Sequence, residues 1–142
     1  MQLSQQLDGV PTDVIIQHFA DRILVLVTQL GKVGTLIQAT LPTSTQIRLP
    51  QDTFPEPPPA IQLTTLMGGA PSEHTAILHS LYVSQIATIV WAHTPDLADR
   101  RPVIVGLALK KAAETEEAKL REMERNTFTG VMRIVSVLSE SS

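Results

Sequence analysis

Residues Val10–Leu36, VPTDVIIQHFADRILVLVTQLGKVGTL, contain two strand-like runs and two turn signals. The runs Val14–Phe19 and Ile23–Gln29 are rich in Val and Ile, which favour β-strands. The short polar turn Ala20-Asp21-Arg22 separates them. A pair of such runs around a short turn predicts an antiparallel hairpin.

A glycine-containing turn follows the second run. Gly31 and Gly34 supply positions where φ can be positive, so the chain can reverse there. Thr35–Leu41 is then predicted as the third strand of a meander, and Ile61–Met67 resumes the strand pattern further on. The turn therefore predicts a hairpin tip between the second and third strands.

A last strand is predicted at Pro102–Leu109. This run and Ile23–Val27 are apolar without alternation. A strand that is apolar on both sides is covered on both faces. Helices packed on one face of a sheet supply only half of that cover, so the pattern also predicts a dimer.

Two amphipathic segments predict helices. Ser72 suits an N-cap, and apolar residues recur at helical spacing from Ile77 to Val90. A second helix is predicted over Glu114–Leu138, where Asn126–Gly130 is poor helix material and leaves two helices in tandem as an alternative. Residues 139–142 are expected to fray.

Together these elements predict an α/β (α+β) fold. The sheet is expected to be mainly antiparallel, a meander of about five to six strands, with two to three helices packed on one face. The chain length of 142 residues suits a single domain, 1–142. Residues 42–60 are rich in proline and predict a loop, which we interpret as a spacer.

The composition limits the classes of partner. The formal net charge of −3 gives no broad positive field, which argues against nucleic-acid binding. The N-terminal residues lack a secretory pattern, and the longest apolar run is far short of the ~20 residues that span a bilayer. We therefore expect no membrane partner and a cytoplasmic location, possibly also nuclear. The absence of Cys excludes disulfides, thiolate metal sites and cysteine nucleophiles.

No motif of known catalytic chemistry is found. The Gly31-Lys32-Val33-Gly34-Thr35 stretch lacks the spacing of a phosphate-binding loop and joins two predicted strands. The four histidines are scattered, and His74 and His79 fall on different helical faces, unlike a metal pair. We expect no catalytic residues, no cofactor, no metal site and no enzymatic activity.

Val10-Pro11-Thr12, the run from Ile23 to Gln29, and the Gly-Lys-x-Gly-Thr-Leu stretch ending at Leu36 resemble the proteasome assembly chaperone 3 family. The resemblance continues more loosely through the strand at Val103. It implies a small α/β domain that dimerises, typically with proteasome assembly chaperone 4. It also implies binding to α-subunits of the 20S core particle and help in closing the α-ring, without nucleotide hydrolysis.

The resemblance leaves the contact surface open, and the hairpin tip is the predicted partner-binding site. Gln29, Lys32 and Thr35 are the residues we predict to contact a partner. A homodimer is possible beside the heterodimer. The alternative function is a dimerising adaptor of the roadblock or longin type that scaffolds another complex. A small enzyme or ligand-binding domain is a third hypothesis, which predicts a deep pocket lined by polar groups.

Overall fold

The fold was analysed in a computed structural model that describes residues 1–42, 44–48, 50, 53–94, 96, 100–110 and 117–141. Six strands and two helices occupy these ranges. In chain order they are β1 (Gln2–Leu7), β2 (Val10–His18), β3 (Ile23–Thr28), β4 (Thr35–Thr40), β5 (Gln62–Met67), α1 (Glu73–Ala92), β6 (Val103–Ala108) and α2 (Glu117–Glu140).

The strands form one mixed sheet in the order β1-β2-β3-β6-β4-β5. Strands β3 and β6 are parallel, and the other four neighbouring pairs are antiparallel. The predicted α+β fold with a mainly antiparallel sheet is therefore confirmed, as is the β2–β3 hairpin around Asp21.

The predicted meander is wrong at one place, because β3 and β4 are not neighbours. Strand β6 lies between them, with Val25 and Ile37 both paired to Val105. All six residues of β6 are buried, so this strand takes the centre of the sheet. The connection from Gln29 to Gly34 is consequently not a hairpin tip, and it bridges the end of β6.

Both helices pack on the same face of the sheet. Helix α1 contacts β4, β5 and β6, whereas α2 contacts β1 and β2. The helices also touch each other, through the edge-to-face rings of Tyr82 and Phe128, whose centroids are 5.0 Å apart. The His74 Nε2 atom lies 2.9 Å from a carboxylate oxygen of Glu124.

Helix α2 is continuous through Asn126–Gly130, so the tandem alternative is not observed. Gly130 allows α2 to approach β1 closely, since a β-carbon there would lie 2.5 Å from a methyl carbon of Leu7. The helix continues to Glu140 with Ser139 buried. Residues 139 and 140, where we expected fraying, are thus helical, and Ser139 packs against the domain while Glu140 is exposed. Residues 114–116 of the predicted helix lie outside the described residues.

The hydrophobic core is aliphatic and fills the space between the sheet and the helices. Alternate strand residues such as Val14, Val25 and Val105 meet Ile86 and Val135 of the helices there. By length and composition α1 could cross a membrane, but half of its apolar window is buried in the domain. Packing in the core accounts for that composition.

Two parts of the chain differ from their sequence interpretation. The N-terminal strand β1 was not predicted, because its side chains are mainly polar and exposed. The described residues of the 42–60 loop pack against the core instead of acting only as a spacer. Pro55 is buried and its carbonyl oxygen accepts a 2.7 Å hydrogen bond from Gln85 Nε2, while Thr45 O accepts one from Arg100.

Candidate protein-binding surfaces

The sheet face opposite the helices carries an aliphatic surface, which we call the open face. Residues that alternate with the core-facing ones point to this side, and they are paired across three strands: Ile15 with Leu26, and Leu24 with Ile104. Leu36 of β4 extends the surface beyond β6. The described residues place no helix over this face, where Ile15, Leu24, Leu26 and Leu36 are partly exposed and Ile104 is 9% exposed. We call these five side chains the apolar centre.

Gly106 makes the middle of the open face flat. The methyl groups of Leu26 and Leu36 lean over its α-carbon, and a β-carbon there would lie 2.6 Å from Leu26 Cδ2 and 3.2 Å from Leu36 Cδ2. No side chain fits at this position without displacing its neighbours. The apolar surface therefore runs without interruption from β3 across β6 to β4.

Uncharged polar side chains surround the apolar centre. Gln17 of β2 lies beside Leu24, and Gln38 of β4 is paired with Thr64 of β5. Asp13 is the single charged residue that the six strands place on this face, and the Ser4 hydroxyl donates a hydrogen bond to it. An apolar centre with a polar rim is the usual anatomy of a protein–protein interface.

The connection Gln29–Gly34 forms a second surface at the end of the sheet. The Thr28 hydroxyl oxygen accepts hydrogen bonds from the backbone N–H groups of Leu30 at 3.1 Å and Lys32 at 3.2 Å. Gly31 and Gly34 both have positive φ, as the turn requires. The loop is thus held by hydrogen bonds from the end of β3.

The half-buried Gln29 follows β3 and forms hydrogen bonds to β2 and to the end of β6. Its side-chain nitrogen donates to the hydroxyl of the fully buried Thr12 at 3.0 Å, and its side-chain oxygen accepts from the Lys110 N–H at 2.9 Å. The Gln29 backbone N–H donates to the Ala108 carbonyl at 2.8 Å. Its polar groups are therefore engaged within the chain.

The three predicted partner-binding residues differ in their surroundings. Lys32 is exposed, and the side chain of Gln29 is hydrogen-bonded to Thr12 and Lys110. Thr35 packs beside Gly68, since a β-carbon on Gly68 would lie 3.1 Å from Thr35 Oγ1. Their role in partner binding stays a prediction. Sequence reasoning did not single out Leu30 and Val33, which are exposed in the same loop. The signal available was two large apolar residues flanking a Gly-Lys pair in a turn.

Two cavities are lined by described residues. One of about 30 Å³ lies between β2 and the ends of the helices, beside His93 and the unpaired hydroxyl of Ser139. That volume holds about one water molecule. A wider trough along the proline-rich loop is open to solvent, and Arg48 and Glu56 are its charged lining residues.

Titratable groups do not converge on a site in the described ranges. No three His, Asp or Glu residues there are grouped to hold a metal ion. His74 is exposed whereas His79 is buried, as their spacing predicted, and burial lowers the pKa of His79 below its ordinary value of 6.5. Burial, with the nearby Glu124 carboxylate, raises the pKa of Tyr82.

The open face is apolar at its centre and carries one charged strand residue, and the loop at its end exposes Leu30 and Val33. This arrangement is typical of an α+β domain of the protein-binding class.

Comparison with known proteins specifies the class. Residues 25–129 match the family described as Proteasome assembly chaperone 3, and the chain belongs to this family. The match extends from β3 into α2 and so includes the loop at the end of the sheet and most of the open face.

Two individual proteins are similar over different shares of the chain. Proteasome assembly chaperone 3 of Nematostella vectensis is 51% identical over 39 residues, which are 28% of this chain and 29% of that protein. The matched segment therefore spans less than a third of the curated relative. Among solved structures, a chain from "Crystal Structure of a Novel Chaperone Complex for Yeast 20S Proteasome Assembly" is similar with a TM-score of 0.46 and 12% identity, over 92% of this chain and 96% of that chain.

Proposed function

We propose that this protein is a chaperone for assembly of the 20S proteasome, and that it acts in the cytoplasm or nucleus. Its membership of the family supports the proposal most directly. Membership of a chaperone family implies a non-enzymatic role, which favours this function over the small-enzyme hypothesis. It also favours the chaperone over the roadblock or longin type of adaptor.

The chaperone works, in this proposal, by binding α-subunits and helping them close into the α-ring. A binding mechanism of this kind needs complementary surfaces and no catalytic group. The open face and the adjoining loop at the end of the sheet provide two such surfaces in one domain. One can hold a chaperone partner while the other remains free for an α-subunit.

We assign the open face to dimerisation. The strand residues Ile15, Leu24 and Leu26 would be sheltered from water if a second sheet packed on them. Six strands of about six residues span about 24 Å by 20 Å. Two such faces together bury on the order of 1,000 Å², which is about the lower limit for a biological interface. The partner is a proteasome assembly chaperone 4-like protein or a second copy of this chain.

The mass of the purified protein in solution tests this assignment. Light scattering after size-exclusion chromatography is expected to show a dimer, either for this chain alone or after mixing with the chaperone 4-like protein. The variants Ile15→Glu and Leu24→Glu should yield monomers, since each places a charge in the apolar centre. Phe19→Glu is the matched control, because Phe19 is an exposed apolar residue in the β2–β3 turn. Dimers that survive both open-face substitutions would contradict the assignment.

Affinity purification of the tagged chain from its own cells tests the chaperone role. We expect 20S α-subunits without mature β-subunits, together with a second small chaperone. Mass spectrometry of the bound proteins identifies them. A set of partners that contains no proteasome subunit would refute the role and return the adaptor alternative.

A further inference from the structure

We propose that Leu30–Val33 is a preformed binding knob that inserts into an apolar depression beside a carboxylate on a proteasome α-subunit. This inference rests on the proposed function and names the contact surface and the chemistry of its partner. We call these four residues the knob. The prediction from sequence placed the contact on Gln29, Lys32 and Thr35. The proposal keeps Lys32 and adds the exposed apolar residues Leu30 and Val33.

The knob presents two aliphatic side chains on either side of a lysine. Leu30 is 47% exposed and Val33 is 41% exposed. A single exposed apolar residue is ordinary on a protein surface. Here two of them flank Gly31-Lys32 in one short loop, so a partner that covers the loop removes both from water at once.

Lys32 gives the knob its charge preference. None of the ion pairs among the described residues includes Lys32. Its ammonium group is therefore available to a carboxylate of another molecule. Charge complementarity within an apolar contact fixes the orientation of the partner more than it adds affinity. The expected binding site is thus an apolar depression with an Asp or Glu at its edge.

The knob is held in one conformation before it binds. The Thr28 hydroxyl oxygen accepts hydrogen bonds from the backbone N–H groups of Leu30 and Lys32. On the other side, a β-carbon at Gly34 would stand 2.1 Å from the Leu107 carbonyl oxygen, so the loop lies directly on the end of β6. A loop that is already ordered loses little conformational entropy on association, which strengthens binding.

The knob also remains accessible in the proposed dimer. It lies between Thr28 and Thr35 and borders the open face, because a β-carbon on Gly106 would stand 3.1 Å from the Val33 carbonyl oxygen. The dimer contact is centred on Ile15 and Leu24, and Leu24 lies toward the opposite end of β3. The same protein can therefore hold its chaperone partner and an α-subunit simultaneously. Substitutions in the knob should reduce α-subunit binding and leave the mass of the dimer unchanged.

Binding of the purified dimer to individually produced α-subunits tests the knob. Surface plasmon resonance would measure the wild type and the variants Lys32→Glu and Leu30→Ser/Val33→Ser. We expect each variant to weaken binding at least about tenfold for the subunit that the wild type prefers. Lys32→Arg should retain binding, and the Lys32→Gln variant should show a smaller dependence of affinity on salt than the wild type.

The control carries the same residue types at the opposite end of the sheet. Phe19 is 49% exposed and Arg22 is exposed in the β2–β3 turn, so Phe19→Ser/Arg22→Glu removes an apolar and a basic side chain without touching the knob. Light scattering and circular dichroism confirm that every variant keeps its mass and fold. If the knob variants bind as tightly as the control, the proposed role of the knob in binding is overturned, whereas the chaperone role is unaffected. If the wild type binds no α-subunit, both proposals fail.

Discussion

Gly34 lies against the backbone of Leu107, so closely that a β-carbon on Gly34 would stand 2.1 Å from the Leu107 carbonyl oxygen and 2.7 Å from its carbonyl carbon. This contact joins the start of β4 to the end of β6. Gly34 also has a φ of +72°, which other residues adopt only at a cost. Both the conformation and the space at this position require glycine.

Gly34→Ala is expected to destabilise the protein by at least about 3 kcal/mol, since the clash with rigid backbone adds to the strain of a positive φ. Urea unfolding monitored by circular dichroism measures the loss. Gly31→Ala is the matched control: its φ is +69°, and a β-carbon there meets nothing within 4 Å. It should lose only about 1 kcal/mol. Equal losses in the two variants would show that the contact with Leu107 is not the cause.

Gln29→Ala should cost about 1 kcal/mol, because it removes two side-chain hydrogen bonds, while the Thr12 hydroxyl still donates to the Val10 carbonyl and the exposed Lys110 N–H can reach water. Gln29→Glu is expected to lose less, since a carboxylate still accepts from Lys110. Gln17→Ala, on an exposed part of β2, should change the free energy of unfolding by less than about 0.5 kcal/mol. Urea unfolding of the three variants provides the comparison, and a Gln29→Ala protein as stable as Gln17→Ala would contradict the bridging role.

His79 should make the protein less stable in mild acid. Burial lowers its pKa in the folded state below 6.5, so the unfolded chain binds the proton more readily. The contribution of neutral His79 to stability is complete above pH 6.5 and is lost as the pH falls toward the folded-state pKa.

The free energy of unfolding, measured from pH 7.5 to 5, tests this dependence. His79→Gln should flatten its slope between pH 6.5 and 5, whatever its effect on absolute stability. His18→Gln removes an exposed histidine and serves as the matched substitution control. The same slope in wild type and His79→Gln would assign the acid sensitivity to other groups.

Ser72→Ala should destabilise α1 by about 1 kcal/mol. The Ser72 hydroxyl oxygen accepts the Thr75 N–H at 3.2 Å, in the N-cap geometry that the sequence predicted. Ser72→Asp should preserve stability, because a carboxylate also caps and suits the helix dipole. Ser80→Ala, in the interior of the same helix, is expected to be neutral or slightly stabilising. Thermal unfolding distinguishes these outcomes, and a loss in Ser80→Ala equal to that in Ser72→Ala would argue against the cap.

Local patterns predicted most of the elements within a few residues. The run beginning at Ile23, the resumption of strand near Gln62 and the Ser72 cap all appear where expected. They depend on propensities and on contacts close in the chain, which a sequence displays directly. Strand β1 escaped because its exposed polar side chains lack that pattern, and its position depends on pairing with β2.

The order of the strands could not be predicted in this way. Val103–Ala108 is apolar throughout, which indicated burial on two faces, but burial does not say between which neighbours a strand lies. The same limit applied to the site. Lys32 is exposed as an isolated charge in a turn would be, whereas the internal role of Gln29 depends on Thr12 and Lys110, which are distant in sequence.

The position of β6 between β3 and β4 also constrains how the chain reaches its native state. On the ribosome, β3, β4 and β5 are complete before Val103 is synthesised, so two strands that must stay apart are available to each other first. Pairing distant segments is slow relative to closing a short turn. The direct hairpin across Gly31 and Gly34, which the local sequence favours, is therefore a kinetic competitor of the native sheet. Productive folding therefore requires β3 and β4 to be unpaired when β6 forms between them.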